Sequence, residues 1–307
     1  MKIKKIGKVI TPNNVNDWWV SHAMAPSAVL INDEIIRVFL GCWDRNGISR
    51  IGHVDVSANN PLNIISISKK PDLDIGIDGS FDENGVFPAH VNINNNNLYL
   101  HYTGFQLGQK IRHYNFGGIA ISDIKDFKFE RFSKAPVLDR SDEGLFVRAG
   151  SSTIFNGRNF STVYSAGSGW ENIGGKLRPK YNIFYQETED GIRLRRSGIK
   201  IIECNNKIEH GLGRPQIIKI ENQYYIFYTR RLKSFRYFFG VAKSKNLKDW
   251  IRIDDEIEGI SHPDLGFDSM MIYFPSVVNT KYGLYLFYSG NNFGAGGMGV
   301  AKIESLW

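Results

Sequence analysis

The sequence predicts an all-β protein, a five-bladed β-propeller in which the N-terminal strand closes the last blade. Three observations predict it. Small or proline residues that open an apolar stretch recur at Pro26, Pro88, Ser151, Pro215 and Pro275, at intervals of 62, 63, 64 and 60 residues. A second marker, the residue that ends an aromatic stretch (Gly41, Gly104, Gly167, Arg230 and Gly290), returns with the same period, and a fixed period of this length is the signature of a repeated supersecondary unit. Third, the last unit is one strand short while a spare stretch, Lys2 to Ile10, precedes the first. Radial sheets closed by their own termini protect their edges, so the spare strand belongs to the incomplete unit.

Taken in order, Lys2, Lys4 and Lys5 alternate with Ile3 and Ile6, the pattern of a basic edge strand. Each unit then runs from its Pro or Ser marker through an apolar first strand to an aromatic second strand. Third strands read Ile48 to Val56, Phe116 to Ser122, Tyr181 to Glu187, Tyr237 to Ser244 and Gly297 to Ile303. Fourth strands follow at Ile64 to Ser68, Phe127 to Phe132, Ile192 to Arg196 and Trp250 to Ile253. All are β-branched or aromatic runs bounded by Gly, Asn, Asp and Ser turns. No linker or long helical run interrupts them, which assigns residues 1–307 to a single domain.

An apolar content of 42%, 13% aromatics and 31 glycines suit a folded chain rich in strands and tight turns and exclude disorder. The net charge of +7 is spread along the chain with no zinc-finger spacing or RNA-binding strand signature, which argues against nucleic acid and suits an anionic small substrate. Cys42 and Cys204 stand far apart, without metal-ligand spacing, so no disulfide, metal or cofactor is expected. No run approaches the roughly 18 apolar residues of a membrane span and no secretory leader is visible, which points to a cytoplasmic protein.

In a propeller, the loops entering the innermost strands meet at one mouth. Those loops carry His22, Asp82, Glu143 with Arg148, Glu209 with Arg214, and Asp268 with Tyr273; the turns after the aromatic strands add Asp44-Arg45, Gln106, Trp170, Arg230-Arg231 and Asn291-Asn292. Carboxylates, arginines and aromatic faces together suit a polyhydroxylated sugar. Cleaving a glycosidic bond takes two carboxyl groups, one protonated and one ionised. Asp82 and Asp268 are the first pair, Glu209 the proton donor, and Asp44 a holder of a hydroxyl or modulator. His22, Arg45, His90, Arg148, Trp170, Arg214, Arg230, Tyr273 and Asn291 form the substrate-binding set. Each acid also has a structural reading, because Asp and Asn before strands are common turn formers, and Arg148 and Arg214 can serve between blades.

Through Trp43-Asp44-Arg45, Phe81-Asp82-Glu83-Asn84-Gly85-Val86, Trp170, Arg214-Pro215 with Tyr228, and Gly266-Phe267-Asp268-Ser269 with Gly290-Asn291, the chain resembles the five-bladed β-propeller glycoside hydrolase-like superfamily. That superfamily includes arabinanases, xylosidases, invertases and mannoside phosphorylases, and the resemblance is nearest a glycosidase-like branch found with bacterial surface-polysaccharide genes. It implies action on a glycosidic linkage of a bacterial polysaccharide or its precursor. The alternatives are phosphorolysis or transfer of a phosphate-bearing sugar, and glycan binding without catalysis. Met270 stands where the branch's pattern leads one to expect an acid.

Overall fold

The β-branched and aromatic runs form twenty strands in a computed structural model that describes residues 1–306. They are β1 (Lys2–Ile10), β2 (Ser21–Asn32), β3 (Ile35–Trp43), β4 (Ser49–Ser57), β5 (Ile64–Ile67), β6 (Val86–Asn94), β7 (Asn97–Leu107), β8 (His113–Asp123), β9 (Glu130–Arg131) and β10 (Val147–Phe155). The chain continues through β11 (Phe160–Ile173), β12 (Lys176–Thr188), β13 (Ile199–Ile202), β14 (Glu209–Ile220), β15 (Gln223–Leu232), β16 (Phe238–Ser244), β17 (Ile251–Arg252), β18 (Tyr273–Thr280), β19 (Gly283–Ser289) and β20 (Met298–Ser305). Antiparallel pairing groups them by fours: β2 to β5, β6 to β9, β10 to β13, β14 to β17, and β18 to β20 completed by β1. The spare N-terminal strand pairs with β20 from Lys2 opposite Ser305 to Ile10 opposite Met298, and Ile3 is wholly buried there.

Each first strand carries a register shift at its sequence marker: Met24 to Ser27, Pro88 to His90, Ala149 to Ser152, Gly213 to Gln216 and Tyr273 to Ser276. Proline has no ladder donor and is tolerated at bulges, which explains why Pro26, Pro88, Pro215 and Pro275 sit there. The first strands touch one another in a cycle, β2 to β6 to β10 to β14 to β18 and back to β2. Side chains tie successive members: Ser276 Oγ accepts from Ala28 N–H, Ser152 Oγ accepts from Ile217 N–H, and the Gln216 amide both accepts from and donates to the Val277 backbone. An all-β chain of strongly curled sheets arranged this way is of the β-propeller type.

The core lies between neighbouring groups. Val29 and Phe39 of the first pack against Val91, Leu100 and Tyr102 of the second; each such side chain, fully buried, contributes about 1.5 to 3 kcal/mol. One strand lies elsewhere than the sequence predicts. The fourth strand of the third group is Ile199–Ile202, not Ile192 to Arg196, because Asp190 Oδ1 accepts the Ile192 and Arg193 N–H groups and bends the chain there.

Candidate functional site

Residues from all five groups converge at the end of the ring where the first strands begin. His22 lies flat on Trp43, ring centroids 3.8 Å apart, and its left-handed backbone (φ 63°) is held by Trp19 Nε1, which donates to the His22 carbonyl at 2.7 Å. A run of rings continues from His113 to Phe105 (5.0 Å), Phe87 (5.7 Å), Phe274 (6.3 Å) and Tyr273 (4.3 Å). Phe293 and Tyr237 close on Tyr273 at 5.8 and 6.1 Å. Arg231 lies among them, its guanidinium carbon 5.1 Å from the Tyr237 ring and 5.7 Å from that of Phe293, and it donates to Tyr181 Oη at 2.8 Å. Phe146 and Trp170 stack at 4.4 Å, and Trp170 packs against the cluster of Phe146, Val147 and Tyr181.

Burial sets the charge of this mouth. Desolvation lowers His22, His113 and His210 to about 4, with Arg231 adding to the effect at His113 and His210, so all three are neutral at pH 7. The same desolvation raises Tyr181 and Tyr273 and keeps their hydroxyls protonated. Several polar atoms here are buried without a protein partner: Tyr273 Oη, Trp43 Nε1 and Asn115 Oδ1. Buried polar atoms are normally satisfied, so these three are exceptions at this end of the ring.

The four acids expected to catalyse are each engaged by partners within the protein. Asp82, 1% exposed, accepts from Ser80 Oγ, Tyr102 Oη and Arg131 Nε. Asp268, 3% exposed, accepts from Lys5 Nζ at 2.7 Å and Tyr288 Oη at 2.9 Å. Glu209 is clamped by Arg230 and Arg252 and by the Asn205 N–H; burial by itself would push its carboxyl up, and those bonds outweigh burial and hold it below the usual range. Asp44 caps its own turn through Asn46 and Ile48 N–H and pairs with Arg50. Desolvation again opposes, and these donors lower its pKa. Each of the four is thus held by a cation of the protein itself.

The expected binding residues divide. His22, Trp170 and Tyr273 stand at the mouth, and Arg45 is exposed on the turn after β3. Arg148 is buried on Glu143 Oε1 and the Asp139 carbonyl, and Arg230 is engaged by Glu209. Asn291 fastens a loop, accepting from Met270 and Met271 N–H and donating to the Gly266 carbonyl; Met270 itself is exposed. His90 is buried with Nδ1 unpartnered, and burial lowers it to about 3. Arg214 fills the centre of the ring: its guanidinium donates to the carbonyls of Pro88, Phe274, Pro275, Ala25 and Pro26. Without a carboxylate partner, burial lowers it to about 9.

Sequence reasoning passed over His113, His210, Tyr181, Tyr237 and Phe293. His113, His210 and Tyr237 sit at the starts of third and first strands, Tyr181 midway along β12 and Phe293 in the turn after β19; strand alternation about the same markers would have found those on strands. It also separates Arg231 from Arg230: adjacent strand residues face opposite ways, one to the mouth and one to Glu209. Among the described residues no His, Cys, Asp and Glu group is arranged to hold a metal ion, and no helix is long and apolar enough to cross a membrane.

No protein-family model matches the chain. It is 27% identical over 305 residues to Rv1502, an uncharacterised protein of Mycobacterium tuberculosis, covering 99% of this chain and 100% of that one. It is 30% identical over 164 residues to a 1,2-β-oligomannan phosphorylase of a Thermoanaerobacter species, covering 50% of this chain and 52% of that one. Among solved structures it is similar to a thermostable family-43 glycoside hydrolase, with 15% identity, a TM-score of 0.66, and 94% and 95% of the two chains covered. It is also similar to a protein from a study of the GH130 mannoside phosphorylases and the β-1,2-mannoside-targeting glycoside hydrolases among them. There the identity is 17%, the TM-score 0.68, and 97% and 92% of the chains are covered. At these identities the structural likeness is one of fold, and that fold is of the β-propeller type.

Proposed function

We propose that the five four-stranded groups are the blades of one propeller domain, and that the protein is carbohydrate-active and glycosidase-like, with its substrate at the aromatic mouth. The observation that carries this reading is a mouth lined by rings from every group, with partnerless buried polar atoms among them, on a fold shared with glycoside hydrolases. Aromatic faces take sugar CH surfaces, and stray donors and acceptors take hydroxyls. The substrate is a linkage of a bacterial polysaccharide or its precursor, met in the cytoplasm. The partial match to an oligomannan phosphorylase makes β-1,2-linked mannooligosaccharides the first compounds to try.

A second reading, phosphorolysis or transfer, is favoured by one observation: Asp44, Asp82, Glu209 and Asp268 are all engaged by cations, which speaks against hydrolysis by a pair of free carboxyls. Incubation with β-1,2-mannooligosaccharides, with and without inorganic phosphate, and mass detection of products tests both. Free mannose without phosphate supports hydrolysis, and a sugar phosphate formed only with phosphate supports phosphorolysis. Neither product nor binding for any oligosaccharide offered would overturn the carbohydrate reading. In the same assay Trp43→Ala, which removes the ring beneath His22, is expected to weaken sugar binding about tenfold, the loss of one stacking surface.

A further inference from the structure

At the mouth, Arg231 stands without a counter-charge. Arg231 has no carboxylate within ion-pair distance among the described residues, and its one hydrogen-bonded protein partner is the neutral hydroxyl of Tyr181. The neighbouring Arg230 shows the contrast, since it is neutralised by Glu209 at 2.6 Å. The carboxylate that acts on His210, Glu171, is itself taken by Lys233. A guanidinium drawn out of bulk water into a wall of rings without a counter-charge is costly. Its remaining donors are therefore available to an incoming acceptor. Beside it Tyr273, 0% exposed, carries a hydroxyl with no partner, and Arg231 acts electrostatically on that hydroxyl and on Tyr237.

We propose that Arg231 and Tyr273 form an oxyanion subsite, so that the sugar bound at the mouth bears a phosphate or carboxylate group. This rests on the carbohydrate reading above and names its substrate class. The ligand anion supplies the missing counter-charge, with a planar guanidinium placing two donors on one oxyanion and the Tyr273 hydroxyl adding a third. The rings of Tyr237 and Phe293 hold Arg231 in place on its other faces, so little side-chain freedom is lost on binding. The histidines do not compete for the anion in the unliganded protein, because they are neutral at pH 7.

The test is titration calorimetry at pH 7.5 with inorganic phosphate, mannose 1-phosphate, glucuronate and a neutral β-1,2-mannobiose. Wild type is compared with Arg231→Gln and Tyr273→Phe. The expected result is that at least one anionic sugar binds more tightly than mannobiose, that Arg231→Gln weakens it by about tenfold or more, and that the loss for mannobiose is clearly smaller. Phosphate or mannose 1-phosphate binding without glucuronate assigns a phosphoryl group; the converse assigns a carboxylate. Tyr273→Phe keeps the ring and deletes a hydroxyl that no protein atom uses, so it should fold as wild type and still lose several-fold affinity for the anion. It carries the test by itself if Arg231→Gln does not fold. Mannobiose binding with anions no better, or anion binding indifferent to both substitutions, overturns the subsite while leaving the carbohydrate reading standing. Inorganic phosphate bound through Arg231 with every sugar ignored would keep the subsite and sink that reading.

Discussion

Tyr102, Tyr164, Tyr228 and Tyr288 occupy equivalent places in second strands, and each donates its hydroxyl to a carboxylate: Asp82, Glu143, Asp254 and Asp268. Each carboxylate also holds a cation, respectively Arg131, Arg148, Arg252 and Lys5. A tyrosine, an acid and a base thus recur as a buried clip in four of the five groups. The remaining group has Leu40 at that place, and Trp18 lies over the facing Gly52 instead. The clips account for why Asp82 and Asp268 share a slot in the repeat: each joins a loop to its group. Tyr288→Phe, which leaves Lys5 on Asp268, is expected to cost about 1 kcal/mol, and Lys5→Met, which leaves a buried carboxylate without a cation, about 3 kcal/mol. Urea unfolding measures both; two negligible changes would mean that the clip carries no stability.

At the scale of the strand, three of the four clip tyrosines face a glycine, while Tyr164 faces Phe184. Gly118, Gly240 and Gly299 pair with Tyr102, Tyr228 and Tyr288 across second and third strands. A Cβ on Gly118 would come within 2.3 Å of the Tyr102 ring, and on Gly299 within 2.5 Å of that of Tyr288. Glycine weakens a strand interior by itself, and here it makes room for the ring. Gly118→Ala is expected to destabilise by about 1 to 3 kcal/mol through overpacking, read as a fall in thermal midpoint. The pairing with Tyr102→Leu should recover part of that loss, and a Gly118→Ala protein as stable as wild type would count against the packing argument.

Over the whole molecule, the ring is closed in two ways that a linear reading separates widely. β1 completes the sheet of β20, some 300 residues away in sequence, and Arg214 ties carbonyls of the first, second and fifth groups across the axis. The histidines set the acid response. His22, His101, His113 and His210 are lowered to about 4 and His90 to about 3, in every case chiefly by burial. In the unfolded chain each takes a proton near pH 6.5, so the unfolded state binds more protons between about pH 4 and 6.5 and stability rises with pH across that window. Urea midpoints at pH 7.5 and pH 5 should therefore differ, with the lower at pH 5. Equal midpoints would show that the folded protein accepts those protons in place.

The architecture was largely legible in the linear chain, because a repeat of 60 to 64 residues imposes the same strand order in each unit and a missing strand at one end matches a spare at the other. Local signals also placed Pro26, Pro88, Pro215 and Pro275, since a residue without an N–H is confined to a few backbone positions whatever surrounds it. The site was legible only as a set of loops. Which acid is free and which is neutralised depends on partners such as Lys5 for Asp268 and Arg131 for Asp82, 263 and 49 residues apart, and no local pattern encodes such a distance. Tertiary structure alone decided that Arg230 is paired with Glu209, that Arg231 is left without a carboxylate, and that Arg214 fills the axis, because charge pairing is settled by which side chains the closed ring brings within a few ångströms.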